Sequence, residues 1–292
     1  MPAFSLVINI CYYNNLSESM KHTLITTFHQ AGMEQYGQRM IDTFEQYWPD
    51  EVDLVVYTEN CQPTKTKNNV RFVDTLAVNP NLVEFLARHK NNPLAHGQAG
   101  PPEVYQPNKQ FRWDAVRFCW KPFAEKHAAN NIDTDWLTWC DADTLTHTPI
   151  DVEFFRQAYP GNEYMLTYLG RGDRYHPECG WKGYNMRHPN TKMFINEFVA
   201  QYEQDKIFDL KEWHDSYVWG ELLKRYREDN KVYNLNPKPD LKGFAGHPFI
   251  NSVIGRYMDH VKGKRKEDGH STARDIQTHE DHPYWNTVRS KG

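Results

Sequence analysis

Two carboxylates separated by one small residue stand at the end of an apolar run in "DWLTWCDADTLTHTPI", Asp135 to Ile150. In an extended chain, residues two apart point the same way, so Asp141 and Asp143 would face one point. Like charges that close repel and raise each other's pKa unless a cation lies between them. An oxygen-only pair suits a hard divalent ion such as Mg²⁺ or Mn²⁺, with ligand distances of about 2.0–2.1 Å in the Mg²⁺ case and positions left open for ligand phosphates. A short DxD has a plainer reading as an acidic turn, because Asp commonly ends strands and caps turns. The strand-like run before it favours the metal.

A second group far downstream strengthens that reading. In "MDHVKGKRK", His260, Gly263 and Lys266 form the pattern HxxGxxK. His260 would supply a third metal ligand and Gly263 a close backbone approach. Lys266, helped by Lys262, Lys264 or Arg265, would neutralise a diphosphate on the same metal. The competing reading of "KGKRK" is a solvated basic patch or a nucleic-acid contact.

The elements that must position these residues alternate between strand and helix. Phe4–Ile10 reads as a first strand, followed by a polar turn and a stretch without a clear period. Apolar positions from Met33 to Trp48 recur at helical steps and stop at Pro49. "VDLVVYT" and "VRFVDTL" read as strands, and Asn79-Pro80 opens a helix. Residues 91–109 carry four prolines and two glycines, as a lid or a solvated excursion would. Helical text resumes at "QFRWDAVRFCWKPFAEKHAAN", kinked or restarted at Pro122. The strand before Asp141, a strand "YMLTYLG", and helices from Asn190 to Tyr202 and over "HDSYVWGELLKRY" follow; Glu267 to Gly292 reads as a loose polar tail. This order predicts an α/β fold with a mixed, mostly parallel central sheet flanked by helices, in which ligands sit beyond the carboxyl ends of strands.

Composition narrows the partners. With 292 residues and a net charge of −4, the chain is long enough for a large core and has no global basic field to draw nucleic acid or anionic lipid. The N-terminal apolar run is too short for a membrane span or a signal peptide. Five scattered cysteines without a CxxC pair predict a reducing, cytoplasmic setting. The many aromatic residues are expected mostly in the core, with Trp181 or Trp213 the best placed to stack on a sugar. His147 is expected to be a solvent-exposed loop residue, the His279, Asp281 and His282 group part of a flexible tail, and Cys140 a buried strand residue facing away from the aspartates.

Asp141-Ala142-Asp143 at a strand end, followed by His260-x-x-Gly263-x-x-Lys266, resembles the metal-dependent glycosyltransferases of the GT-A fold, and in particular the glycogenin and galactosyltransferase group, glycosyltransferase family eight. The resemblance implies one GT-A-like domain over residues 1–266, with a donor-binding part over about 1–150 and an acceptor-binding part over about 151–266. It also implies residue roles. Asp141, Asp143 and His260 would hold Mn²⁺ or Mg²⁺. Lys121 or Arg117 on the helix before the DxD strand would face the nucleotide-sugar, as would Gly263 and Lys266, and Tyr12, Tyr13 or Asn14 would contact the base. Asn185 in "GWKGYN" would lie near the donor sugar. Asp215 in "EWHDSY", with His214 a lesser candidate, would lie near the acceptor or donor hydroxyls. Here Lys266 is followed by Glu267 and Asp268 where the family continues Pro-Trp.

The implied reaction moves a sugar from a nucleoside-diphosphate sugar, UDP being favoured, to a carbohydrate or other hydroxyl acceptor. The metal and Lys266 would stabilise the charge that grows on the departing diphosphate. A retaining course needs no strong protein base, whereas an inverting one would make Asp215 the base. Two other classes compete. A metal-dependent nucleotidyltransferase would carry an early glycine-rich phosphate loop, which "CYYNN" lacks. A non-catalytic nucleotide-sugar-binding protein of the same fold would bind without turnover.

Overall fold

Alternation of β-branched and aromatic runs with amphipathic helices produces a layered α/β architecture. The computed structural model describes residues 20–173 and 175–291. The strand expected over Phe4–Ile10, with Tyr12, Tyr13 and Asn14 after it, lies outside the described residues. Nine strands are described: β1 (His22–His29), β2 (Val52–Glu59), β3 (Val70–Asp74), β4 (Trp136–Cys140), β5 (Thr144–Thr146), β6 (Leu166–Leu169), β7 (Glu178–Asn185), β8 (Val232–Asn234) and β9 (Met258–His260). Seven of them form one sheet in the order β3-β2-β1-β4-β7-β6-β8. Pairing is parallel from β3 through β4 and between β6 and β8, and antiparallel on both sides of β7. The expected mixed, mostly parallel sheet flanked by helices is therefore met.

The seven principal helices are α1 (Gln38–Tyr47), α2 (Pro80–His89), α3 (Trp120–Asn131), α4 (Val152–Ala158), α5 (Thr191–Glu203), α6 (Asp215–Tyr226) and α7 (Pro283–Ser290). Side chains alternate across the sheet and divide the core in two. Ile25, Val55, Leu137 and Trp139 pack with α2, α3, α5 and α6. Leu24, Phe28, Val56 and Cys140 pack with α1, α4 and α7 on the opposite face. The helical pattern expected from Met33 begins as a π-helical turn over Met33–Gly37 and becomes regular in α1.

Several expectations are corrected. The central strand β1 lies in the stretch that carries no clear period: three threonines interrupt its apolar pattern, yet both faces are buried. The α3 restart occurs at Trp120, not at Pro122. The proline occupies the first turn, where its missing N–H breaks no helical bond. Residues 91–109 are docked on the body, with Ala95 buried and Tyr105 packed edge-on against buried Trp113. The C-terminal segment is also packed. Trp285 is fully buried and donates from Nε1 to the Gly255 carbonyl at 2.6 Å. Tyr284 stacks on His147 with centroids 3.8 Å apart, and burial pushes the His147 imidazole down to about 3. His147 is thus half-buried packing, not an exposed loop residue.

Candidate functional site

Strand β4 is buried along its whole length between β1 and β7 and delivers Asp141 at its carboxyl end. There the chain leaves the sheet, with the Asp141 amide still donating to the Gly180 carbonyl at 2.9 Å, and turns into β5. Strand β5 pairs antiparallel with β9, setting Thr144 opposite His260, and Val261 N–H donates to the Asp143 carbonyl at 2.9 Å. This ribbon brings the two motifs together across the chain. The aspartates converge through the turn between β4 and β5, not by strand alternation as expected.

His260 Nε2 lies 3.0 Å from Asp143 Oδ1 and 3.7 Å from Asp141 Oδ2, while its Nδ1 lies 3.4 Å from Glu178 Oε1. One donor atom from each of Asp141, Asp143 and His260 falls within a 4.8 Å group. Lys266 Nζ reaches Asp143 Oδ2 at 2.9 Å and stands 4.2 Å from the centre of the Tyr36 ring. Lys121 Nζ bridges Asp141 Oδ1 at 2.8 Å and Asp215 Oδ2 at 2.5 Å, and donates to the Cys179 carbonyl at 3.1 Å. Trp139 Nε1 also donates to Asp141 Oδ1, at 2.7 Å. Gly263 turns the chain after β9 with φ +58°, a left-handed conformation that disfavours a Cβ. Gly180 lets the histidine ring lie against β7: a Cβ there would come 2.6 Å from His260 Cε1.

Compensation of charge dominates the site. Burial alone would lower the His260 pKa, but Asp143 and Glu178 raise it to about 9. Burial disfavours charge on Asp143 too, yet His260 and Lys266 hold its carboxyl well below the usual range. Lys121, despite burial, is driven up by Asp141 and Asp215, while Asp215, equally buried, is held down by Lys121 and Lys182. Two carboxylate oxygens and one imidazole, the latter oriented by Glu178 behind it, fit a divalent ion of the Mn²⁺ or Mg²⁺ type. Such an ion would take the place of the His260 proton.

The remaining expected residues divide. Arg117 is exposed beside Phe118, and its charge reaches Tyr36. Asn185 is not brought to the site. In the β4–β7 register it pairs with Trp136, whereas Cys140, next to Asp141, pairs with Trp181, so Asn185 lies at the opposite end of the strand. Its amide donates to the Asn162 and Tyr164 carbonyls at 3.0 and 2.9 Å. Trp181 and Trp213 are buried in the core and offer no ring to a sugar. Cys140 is buried as expected, and burial pushes its thiol up.

Sequence reasoning misses Glu178, which backs His260 and pairs with Lys262, and Glu59, whose carboxyl burial raises to about 7 even as Thr27 donates to it at 2.7 Å. Glu59 ends β2 beside His29 at the end of β1. Burial, followed by the fields of Asp143 and Asp141, lifts the Tyr36 phenol to about 12. No motif announces these residues, because each matters through its tertiary neighbour.

No family model matches this chain, and no curated protein matches it. Among solved structures, the apo form of mouse xyloside xylosyltransferase 1 is similar at 10% identity, over 74% of this chain and 85% of that one, with a TM-score of 0.45, a likeness too distant to assign an activity.

Proposed function

We propose that the protein is a metal-dependent glycosyltransferase that moves a sugar from a nucleoside-diphosphate sugar, UDP being the favoured carrier, to an acceptor hydroxyl. The observation that carries this reading is the meeting of Asp141, Asp143 and His260 beside Lys266 at the carboxyl end of β4. A divalent ion held by those three residues, Mn²⁺ or Mg²⁺, would supply positive charge to a diphosphate. Lys266, beside Asp143, and the turn at Gly263 would meet the same anion, and Lys266 would stabilise the charge that grows as the bond from the sugar C1 to the diphosphate oxygen breaks. Tyr36, whose ring lies 4.2 Å from Lys266 Nζ, is the nearest candidate to contact the nucleotide.

Asp215 takes a positioning role in this reading. Its carboxylate is buried and bound to Lys121 at 2.5 Å, and its lowered pKa makes it a poor base. It holds Lys121, which holds Asp141. The acceptor oxygen would then form its new bond to C1 as the bond from C1 to the diphosphate oxygen breaks, its proton passing to the departing diphosphate on the same face, a course that retains configuration without a protein base. The four described cysteines, all free and buried, support a reducing, cytoplasmic setting. No helix among the described residues is long and apolar enough to cross a membrane.

Calorimetric titration of UDP, and then GDP, tests the reading with Mn²⁺ present, with EDTA, and with Asp143→Ala. Binding of a nucleotide that requires both metal and Asp143 is the expected result, followed by transfer or hydrolysis in a donor-sugar screen. Failure of both nucleotides to bind in Mn²⁺ would refute it.

A further inference from the structure

A second group of metal-ligating side chains lies outside the Asp141–Asp143–His260 site. His176, Glu212 and His214 each offer one donor atom within a 4.8 Å group. His214 Nε2 lies 2.8 Å from Glu212 Oε2, and His176 Nε2 lies 3.9 Å from the same oxygen. The two imidazole rings meet edge to face, with centroids 5.6 Å apart and planes at 61°. We infer that these three residues form a second cation site selective for Zn²⁺ or a similar imidazole-binding divalent ion.

The donor chemistry separates the two sites. Two carboxylates and one histidine favour an ion of the Mn²⁺ type, whereas two imidazoles and one carboxylate are a ligand set suited to zinc, with a fourth position left for water. Solvent reaches that position: the His176 side chain is 34% exposed, against 14% for Glu212 and 11% for His214.

The ligands are held in place before any ion arrives. Glu212 and His214 sit on the segment that enters α6, which is pinned to residues 111–113 by Trp213 N–H to the Arg112 carbonyl at 2.7 Å and Trp113 Nε1 to the Lys211 carbonyl at 2.8 Å. Arg112 Nη1 donates to the outer oxygen of Glu212 at 2.9 Å and leaves Oε2 to the imidazoles. His176 comes from the separate stretch leading into β7. There Pro177 lies so close to α6 that a Cβ on Gly220 would meet Pro177 Cδ at 2.9 Å. An ion would therefore join two chain segments directly beside Asp215.

Zn²⁺ alone is the probe, titrated into EDTA-treated full-length protein with bound metal counted by atomic emission. Wild type is expected to bind two Zn²⁺ per chain and His176→Ala one. The lost class should weaken roughly tenfold or more, since removing even an outer partner of a ligand costs that much. His176 is partly exposed, so its truncation leaves the core packing intact. Glu212→Gln should repeat the loss. A His176→Ala protein that binds Zn²⁺ with wild-type stoichiometry and affinity would overturn the inference. Asp143→Ala separates the two sites: it should remove the other Zn²⁺ only, and if it removes none, the first site's metal reading fails while this one stands.

Discussion

Beneath Lys121 and Asp215 lies an ion pair with no access to water. Glu125 on α3 and Lys182 on β7 are in contact, and both side chains are 0% exposed. Lys182 Nζ lies 5.0 Å from the centre of the Phe198 ring, 5.6 Å from that of Trp139, 5.9 Å from that of Tyr184 and 6.0 Å from that of Trp219. Tyr184 donates to Glu125 Oε2 at 2.8 Å. Removing one partner from such a pair costs about 3–5 kcal/mol, because the survivor stays buried and unpaired, whereas replacing both with groups of similar shape is often close to neutral. Lys182→Met should therefore lower unfolding stability by about 3–5 kcal/mol, and Glu125→Gln/Lys182→Met should recover most of that loss. Equilibrium urea unfolding followed by tryptophan fluorescence reads both values. The reasoning fails if Lys182→Met costs less than about 1 kcal/mol, or if the double variant loses the sum of the single ones, since either result would mean that water reaches the pair.

Three further outcomes are expected. Trp285→Ala should cost about 3–5 kcal/mol, measured by thermal unfolding, because the ring is fully buried and its loss opens a cavity where the C-terminal segment docks. Gly180→Ala should weaken Mn²⁺ binding in a calorimetric titration by roughly tenfold, since the new methyl would push the His260 ring out of place. Burial between Phe155 and Tyr159 lowers the His22 imidazole to about 4 in the fold, against 6.5 when free. The fold thus favours the neutral ring, and the contribution is fully present above about pH 6.5 and lost as pH falls toward 4, a change on the order of 3 kcal/mol. Chemical denaturation across that window should show the loss, and His22→Phe should flatten it.

What could be read without coordinates follows from how local each signal is. Strands β2, β3, β4 and β6 and helices α1, α2, α3, α5 and α6 carry their own periodicity, so the sheet class was legible, whereas the short α4 went unread. Strand β1 was hidden because Thr23 and Thr26 are buried where an apolar pattern would be sought. Strand β7 was hidden because two glycines and a lysine break the apolar pattern of "GWKGYN": Gly180 is small to admit His260, and Lys182 is tolerable only because Glu125 meets it from α3. The C-terminal segment looked loose because its composition is polar, and one tryptophan was enough to anchor it.

The same division runs through the site. Asp141, Asp143, His260 and Lys266 announce themselves because each motif is confined to a few residues, and Lys121 was one of two alternatives that the structure separates. Asn185 fails by register, since a position on a strand says nothing of which end of its neighbour it meets. The contact between the two motifs depends on β5 and β9, three residues each, which are too short to carry a pattern of their own. Thr144–Thr146 becomes a strand only because Met258–His260 lies beside it. The meeting of Asp141, Asp143 and His260 is therefore a product of that ribbon, and substitutions within Thr144–Thr146 should move His260 as surely as substitutions at the aspartates.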